Sequence, residues 1–396
     1  IICFLNCIDG VLMNCKKEFL DLAREIYGPE FIPLHRPVFE GNERQYLVDC
    51  IDSNFVSTVG AKVTEFEEKV AKFTGSKYAV ATVNGTAALH VAIQLAGVKP
   101  GDEVISQALT FIATCNAISY AGATPLFIDV DLDTMGLSPA ALQVFLEKTA
   151  EKRGDGTYNR LSGKKISACI PMHTFGFPCR IAEISEICAD WDIALIEDAA
   201  ESLGSYVGGR HTGTFASMAT LSFNGNKLIT TGGGGMIITD DAELAKRAKY
   251  ITTTAKVPHP YEFVHDEIGY NYRMPNLNAA LGCAQLEQLP GFIKAKRELA
   301  FSYKAFLVNS DWQFIDEPEG CQSNFWLNAV LCENRSQRDA LLSHLHSHGI
   351  LSRPSWTPMH LLPMYAACMR SALPQTVRLF DTLVNLPSGV PAARSL

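Results

Sequence analysis

The stretch YAVATVNGTAALHVAIQLAGVKPGDEVISQALTFIATCNAISYAGATPLFIDVD, residues 78–131, decides the fold. YAVATV is a short β-rich run, NGT a turn, and AALHVAIQLAGV a helix closing at Gly97. DEVISQAL then reads as a strand, FIATCNAISYAG as a helix and TPLFIDVD as a strand. Strands alternating with helices mean a largely parallel sheet covered on both faces. Downstream the pattern repeats. SPAALQVFLEKTAEK is a helix capped by Ser138, ISACIPMH a strand, IAEISEICADWD a helix, and IALIEDAA, MATLSFN and GGMIITD are strands. Residues 154–165 (GDGTYNRLSGKK), polar and rich in glycine, read as a surface loop.

Upstream, KKEFLDLAREIY (16–27), ERQYLVDCIDSN and VTEFEEKVAKFTG read as helices, with IPLHRPVF extended between the first two. The opening IICFLNCIDGVLM is too short for a membrane span and lacks the basic start of a signal peptide. Met13 offers a natural start, so residues 1–12 are expected to be an extension. Toward the other end, NLNAALGCAQLEQL and FIKAKRELAFSYKAFL read as two successive helices, followed by strand-like WLNAVLCE and helical SQRDALLSHLHSHG. The expected organisation is an N-terminal arm (1–55), a large domain (56–280) and a smaller α+β domain (281–396).

The 396 residues are 47% hydrophobic, and 34 Lys+Arg against 42 Asp+Glu give a net charge of -8. No clustered basic run provides a nucleic-acid footprint. Twelve cysteines occur without a C-x-x-C pair, so neither a zinc site nor a disulfide framework is expected. Reduced thiols point to the cytoplasm.

Several residues carry candidate chemistry. Lys227, in SFNGNKLITTGGGG, sits in a polar loop ahead of four glycines. Its amine suits an imine with an aldehyde cofactor, or it is a surface lysine in a turn. Asp198 ends the apolar run IALIED, where α/β ligands bind. It either holds a pyridinium N–H, worth about 4 kcal/mol at about 4 Å and an effective dielectric near 20, or caps the next helix. Glu197 beside it faces away. Gly85 and Thr86 open a helix whose free N–H groups suit a phosphate, or form a plain strand–turn–helix. Ser222, five residues before Lys227, reaches the same phosphate. Phe111, after a strand, stacks on a flat cofactor or fills the core. Asn271 and Arg273, in GYNYRMPN, are unusual unless something binds there.

Taken in order, FVSTVGAKVTEFEE, ATVNGTAALH, ALTFIATCNAI, PLFIDVD, PMHTFGFP, IEDAAESLGS, LSFNGNKLITTGGGG and GYNYRMPNLNAALGCAQLE resemble the DegT/StrS-type nucleotide-sugar aminotransferases over residues 30–390. The resemblance implies the type I, aspartate-aminotransferase-like fold of pyridoxal-phosphate (PLP) enzymes. It implies that Lys227 is the Schiff-base lysine, that Asp198 pairs with the pyridine nitrogen, and that Gly85, Thr86 and Ser222 hold the phosphate. Phe111 would stack on the ring, and Glu201 would lie beside its phenolic oxygen. Asn271 would reach the phosphate of a neighbouring subunit in a homodimer. Where this chain has Glu201 and TTGGGG, many members have Gln and TTGEGG. With SRPSWTPMHLLPMY, these features resemble a subgroup of the bacillosamine and legionaminic acid pathways; the chain's last residues are less standard. That subgroup implies transfer from L-glutamate to C4 of a nucleotide-linked 4-keto-6-deoxy-N-acetylhexosamine. His173, Arg273, Arg353 and His360 are the candidate substrate donors, and either arginine can instead be a structural ion-pair partner. No metal and no membrane are expected. The rivals are a sugar dehydratase of the same fold, which typically carries histidine in place of the lysine, and a non-catalytic sensor or scaffold. A DNA-binding regulator would need an added basic domain.

Overall fold

The computed structural model describes residues 16–391; the expected extension at 1–12 lies outside them. A seven-stranded sheet is formed by β1 (Tyr78–Thr82), β2 (Glu103–Gln107), β3 (Thr124–Ile128), β4 (Ile166–Ile170), β5 (Ala194–Asp198), β6 (Met218–Ser222) and β7 (Gly235–Thr239). Its order is β1-β7-β6-β5-β4-β2-β3. Neighbours from β6 to β3 run parallel, and β7 is antiparallel to both β1 and β6. All five residues of β2 and all five of β7 are buried, because helices cover both faces. The expected type I architecture holds.

A four-stranded antiparallel sheet, β8 (Gln313–Phe314), β9 (Asn328–Leu331), β10 (Arg353–Pro354) and β11 (Leu383–Leu386), has the order β8-β9-β11-β10. The two predicted helices before it are one helix, Asn276–Leu307, running through Pro290. The expected surface loop is instead a hairpin, Ala150–Arg153 with Gly156–Asn159. It takes over the end of the predicted helix, which stops at Thr149. Alternation explains it: Thr157 and Asn159 are buried while Gly156 and Tyr158 are not, and Asn159 Nδ2 donates to Glu103 Oε2 at 2.8 Å.

The nine described cysteines are unpaired and mostly buried. Among the described residues, no group of three or more His, Cys, Asp or Glu could hold a metal, and no helix is long and apolar enough to cross a membrane.

Candidate active site

The strands β1, β2, β5 and β6 point the same way, so their C-terminal ends share one edge of the sheet, where open α/β sheets place ligands. That edge is drawn tight by one residue. Gly235 pairs with Thr82 on one side and Ser222 on the other. A Cβ on Gly235 would lie 2.4 Å from the Asn84 carbonyl carbon and 2.6 Å from Gly85 N. Glycine is therefore required at the end of the TTGGGG run.

Above this edge lies a cavity of about 380 Å3 lined by Gly85, Thr86, Phe111, Asp198, Glu201, Ser222 and Lys227. Asn84 caps the helix Gly85–Leu95 by accepting from Ala87 N at 2.8 Å. The N–H groups of Gly85 and Thr86 have no intrahelical acceptor, and the helix dipole favours an anion there. Ser222 faces the same turn: a Cβ on Gly85 would stand 3.0 Å from Ser222 Cβ and 3.2 Å from its Oγ. The space beside the helix start is thus kept by the missing side chain, which fits a phosphate group.

Asp198 is 2% exposed. Its Oδ2 accepts from Thr114 Oγ1 at 2.7 Å and its Oδ1 from Ala200 N at 3.2 Å. Burial pushes its carboxyl above the usual range, against those hydrogen bonds and the charge of Lys227. A cationic N–H brought to Asp198 would offset that burial. Glu197 points to the other side, accepting from Gly213 N, Phe215 N and Ala216 N at 2.7, 2.7 and 2.8 Å.

Lys227 Nζ is 2.9 Å from Glu201 Oε1 and 4.0 Å from the centroid of the Trp326 ring. Glu201 is buried; burial raises its carboxyl and Lys227 opposes the rise. Its second oxygen accepts from Phe175 N at 2.9 Å. Phe175 adopts φ 56°, a conformation bulky residues rarely take. It packs against Trp356 at 4.7 Å and Trp326 at 6.4 Å between centroids. Phe111 is 47% exposed and tilts toward Trp356, so it is free to cover a flat ligand. Amine, carboxylate, anion cradle and aromatic face together fit an aldehyde cofactor carrying a ring nitrogen and a phosphate.

Other expected residues lie elsewhere. His173 is not a free donor: it is fully buried, with Nε2 3.0 Å from Glu197 Oε2 and Nδ1 accepting from Cys179 N at 3.2 Å. Arg273 is bridged through its backbone to Thr82, and neither Arg273 nor His360 lines this cavity. Asn271 is exposed on its segment, away from its own cavity. Arg353 lines an adjoining cavity. Trp326, Trp356 and Thr114 were absent from the sequence-based site. The segments SRPSWTPMH and ALTFIATCNAI contain two of them, but isolated tryptophans and threonines carry no chemical signal of their own.

Residues 37–393 match the DegT/DnrJ/EryC1/StrS aminotransferase family. The chain is 38% identical over 337 residues to the GDP-perosamine synthase of Escherichia coli O157:H7, covering 85% of this chain and 88% of that protein. It is 36% identical over 360 residues to the GDP-perosamine synthase of Vibrio cholerae, covering 90% and 94%. The crystal structure of the aminotransferase TlmJ from Streptoalloteichus hindustanus superposes with a TM-score of 0.81 at 28% identity, covering 90% of this chain and 93% of that one. A lysine and a strand-end aspartate lining one cavity with a phosphate cradle, and a family match over nearly the whole chain, lead to one conclusion: this protein belongs to the DegT/DnrJ/EryC1/StrS family of PLP-dependent sugar aminotransferases.

Proposed function

We propose that the enzyme moves the amino group of L-glutamate onto C4 of a nucleotide-linked 4-keto-6-deoxyhexose, leaving 2-oxoglutarate. The observation that carries this reading is the single cavity joining Lys227, Asp198 and the N-terminus of the helix Gly85–Leu95. PLP supplies an electron-withdrawing ring that stabilises negative charge on the carbon bearing the transferred nitrogen. Lys227 would hold the cofactor aldehyde; once released, its Nζ would carry the α-proton of glutamate to the cofactor in the first half-reaction and a proton from the cofactor to C4 of the sugar in the second. Glu201 Oε1, at 2.9 Å, balances the ammonium whenever Nζ is protonated. Asp198 would keep the ring nitrogen protonated, and Gly85, Thr86 and Ser222 would bind the phosphate. Phe111 would cover the ring. Asn271, exposed on residues 269–276, would complete the phosphate site of a second copy in a cytoplasmic homodimer.

Two acceptors follow from different observations. EDAAESLGS, PMHTFGFP and SRPSWTPMH resemble the subgroup that aminates N-acetylated sugars. The relatives named GDP-perosamine synthase instead favour a GDP-linked sugar. The test offers glutamate with UDP-linked 4-keto-6-deoxy-N-acetylglucosamine, with a GDP-linked 4-keto-6-deoxyhexose and with pyruvate, and identifies the products by mass spectrometry. Faster amination of pyruvate than of either sugar rejects the sugar reading.

A further inference from the structure

The cavity holding Lys227 does not end at its aromatic wall. Asn226, Trp326 and Trp356 also line a second cavity of about 410 Å3, whose remaining wall includes His35, Ser355, Asn385 and Arg353. These residues come from the N-terminal arm and from β10, β11 and their flanks, so only the folded chain brings them together. Ser355 and Asn385 are 4% and 2% exposed. Ser355 Oγ, Asn385 Oδ1 and both ring nitrogens of His35 are buried without a hydrogen-bond partner among the described residues. Buried polar atoms are nearly always partnered, and three such side chains facing one cavity point to a ligand.

The chemistry of these atoms selects the ligand class. Burial, and then the charges of Lys296 and Lys227, hold the His35 imidazole well below its usual range. It is therefore neutral, with one donor and one acceptor nitrogen. Asn385 Oδ1 accepts only, and the Ser355 hydroxyl does both. An ionised carboxylate or phosphate has no hydrogen to offer the two acceptors. A sugar ring offers both: its hydroxyls, or an acetamido N–H, donate and accept. Its C–H face suits the indoles of Trp326 and Trp356, whose bodies are apolar. Arg353, the exposed member, has no carboxylate partner among the described residues, so an anionic part of the ligand falls to it, outside the neutral inner wall.

We propose that this second cavity reads the ring substituents of the acceptor sugar, with His35, Ser355 and Asn385 as its specificity-determining residues. The proposal rests on the sugar-aminotransferase reading above. A site built to hydrogen-bond a hydroxyl discriminates strongly against an analogue that lacks it.

The test separates the two half-reactions in single turnovers of the holoenzyme, for the wild type, His35→Phe and Asn385→Leu. Glutamate is added first and the cofactor absorbance followed; the 4-keto sugar is added second. The expected result is a half-saturation for the sugar raised at least tenfold in both variants, with the effect confined to that half-reaction. The wild type should also prefer the full sugar over an analogue lacking one ring substituent by at least tenfold, and the variants by less than threefold. His35→Gln, which keeps a donor and an acceptor, should restore most of the affinity. Tryptophan fluorescence titrated with the amino-sugar product reads binding directly and checks that each variant is folded. If the variants slow the glutamate half-reaction instead, the cavity serves the donor and the proposal is overturned. If sugar turnover proceeds with unaltered half-saturation, the pocket assignment alone is overturned. A wild type that aminates no nucleotide sugar overturns both readings.

Discussion

Lys296 is a fully buried lysine on the helix Asn276–Leu307, and it dictates a pH signature. Its Nζ donates to Trp326 O at 3.0 Å and to Ser388 O, and no carboxylate forms an ion pair with it among the described residues. Burial lowers its amine from 10.5 to about 7. At about 1.36 kcal/mol per pH unit, an ammonium at that site costs about 5 kcal/mol. The sign follows from proton counts. Between pH 7 and 10.5 the unfolded chain binds the proton and the folded chain does not, so stability rises with pH across this window. Below about pH 7 both states are protonated and the penalty is constant. From pH 7, where the folded amine is half protonated, to pH 9.5 the relief is about 3 kcal/mol. With about 2.1 cal/mol/K of unfolding entropy per residue, that is about 4 °C in the melting temperature of a chain this long. Lys296→Met keeps the packing, removes the titration and leaves two carbonyls without a donor, a pH-independent loss of about 1–3 kcal/mol each. The assay compares thermal melts of wild type and Lys296→Met holoenzymes at pH 7 and 9.5; both carry the same cofactor, so its own pH dependence cancels. The difference, wild type minus variant, should grow by about 4 °C. A difference that does not change with pH refutes the reasoning.

Borohydride should fix the cofactor on Lys227 and not on Lys296, which lines neither cavity despite its lowered amine; a labelled peptide containing Lys296 would reverse the assignment. Lys227→Ala should retain PLP through the phosphate and Asp198 contacts yet lose amination, measured as bound cofactor against turnover. Gly85→Ala pushes a methyl to 3.0 Å from Ser222 Cβ and should weaken PLP binding by about tenfold, or about 1.4 kcal/mol, in an equilibrium titration. Mixing Lys227→Ala subunits with Asn271→Asp subunits should restore about a quarter of wild-type activity, because half of the dimers then carry one intact site of two. No recovery would place Asn271 in its own subunit's site.

What could be read before folding was what repeats or sits at a strand end. IALIED announced Asp198 because an apolar run that stops at a carboxylate has few meanings, and the alternation over residues 78–131 left one sheet architecture open. The second cavity was invisible for the opposite reason. His35, Trp326, Trp356 and Asn385 are separated by up to 350 positions and meet only through the two sheets. Lys296 shows no signal in its helix, where a lysine at that spacing reads as an exposed face. His173, expected among the substrate donors, has both nitrogens engaged by Glu197 and Cys179, partners that nothing in its own segment marks. The two helices expected at 276–289 and 292–307 are one, because Leu289 and Phe292, on either side of Pro290, are both buried and carry the helix across it.

That unbroken helix has a mechanical consequence. Over 32 residues it is a rod of about 48 Å. Near its start, Asn278 holds the carbonyls of Thr231 and Gly233 at 2.7 and 3.1 Å, and Gln285 holds Val38 O at 2.7 Å. Past Pro290, Lys296 grips Trp326 O and Ser388 O beside the smaller sheet. The glycine run at the cofactor end and the tryptophan wall are thus hung on one beam. Pro290 cannot bond the Leu286 carbonyl, which makes the interval between the two anchorages the beam's most compliant span. A load that tips one sheet toward the other is taken up there first, as a small bend spread over a turn of helix, with the grips at either end left intact.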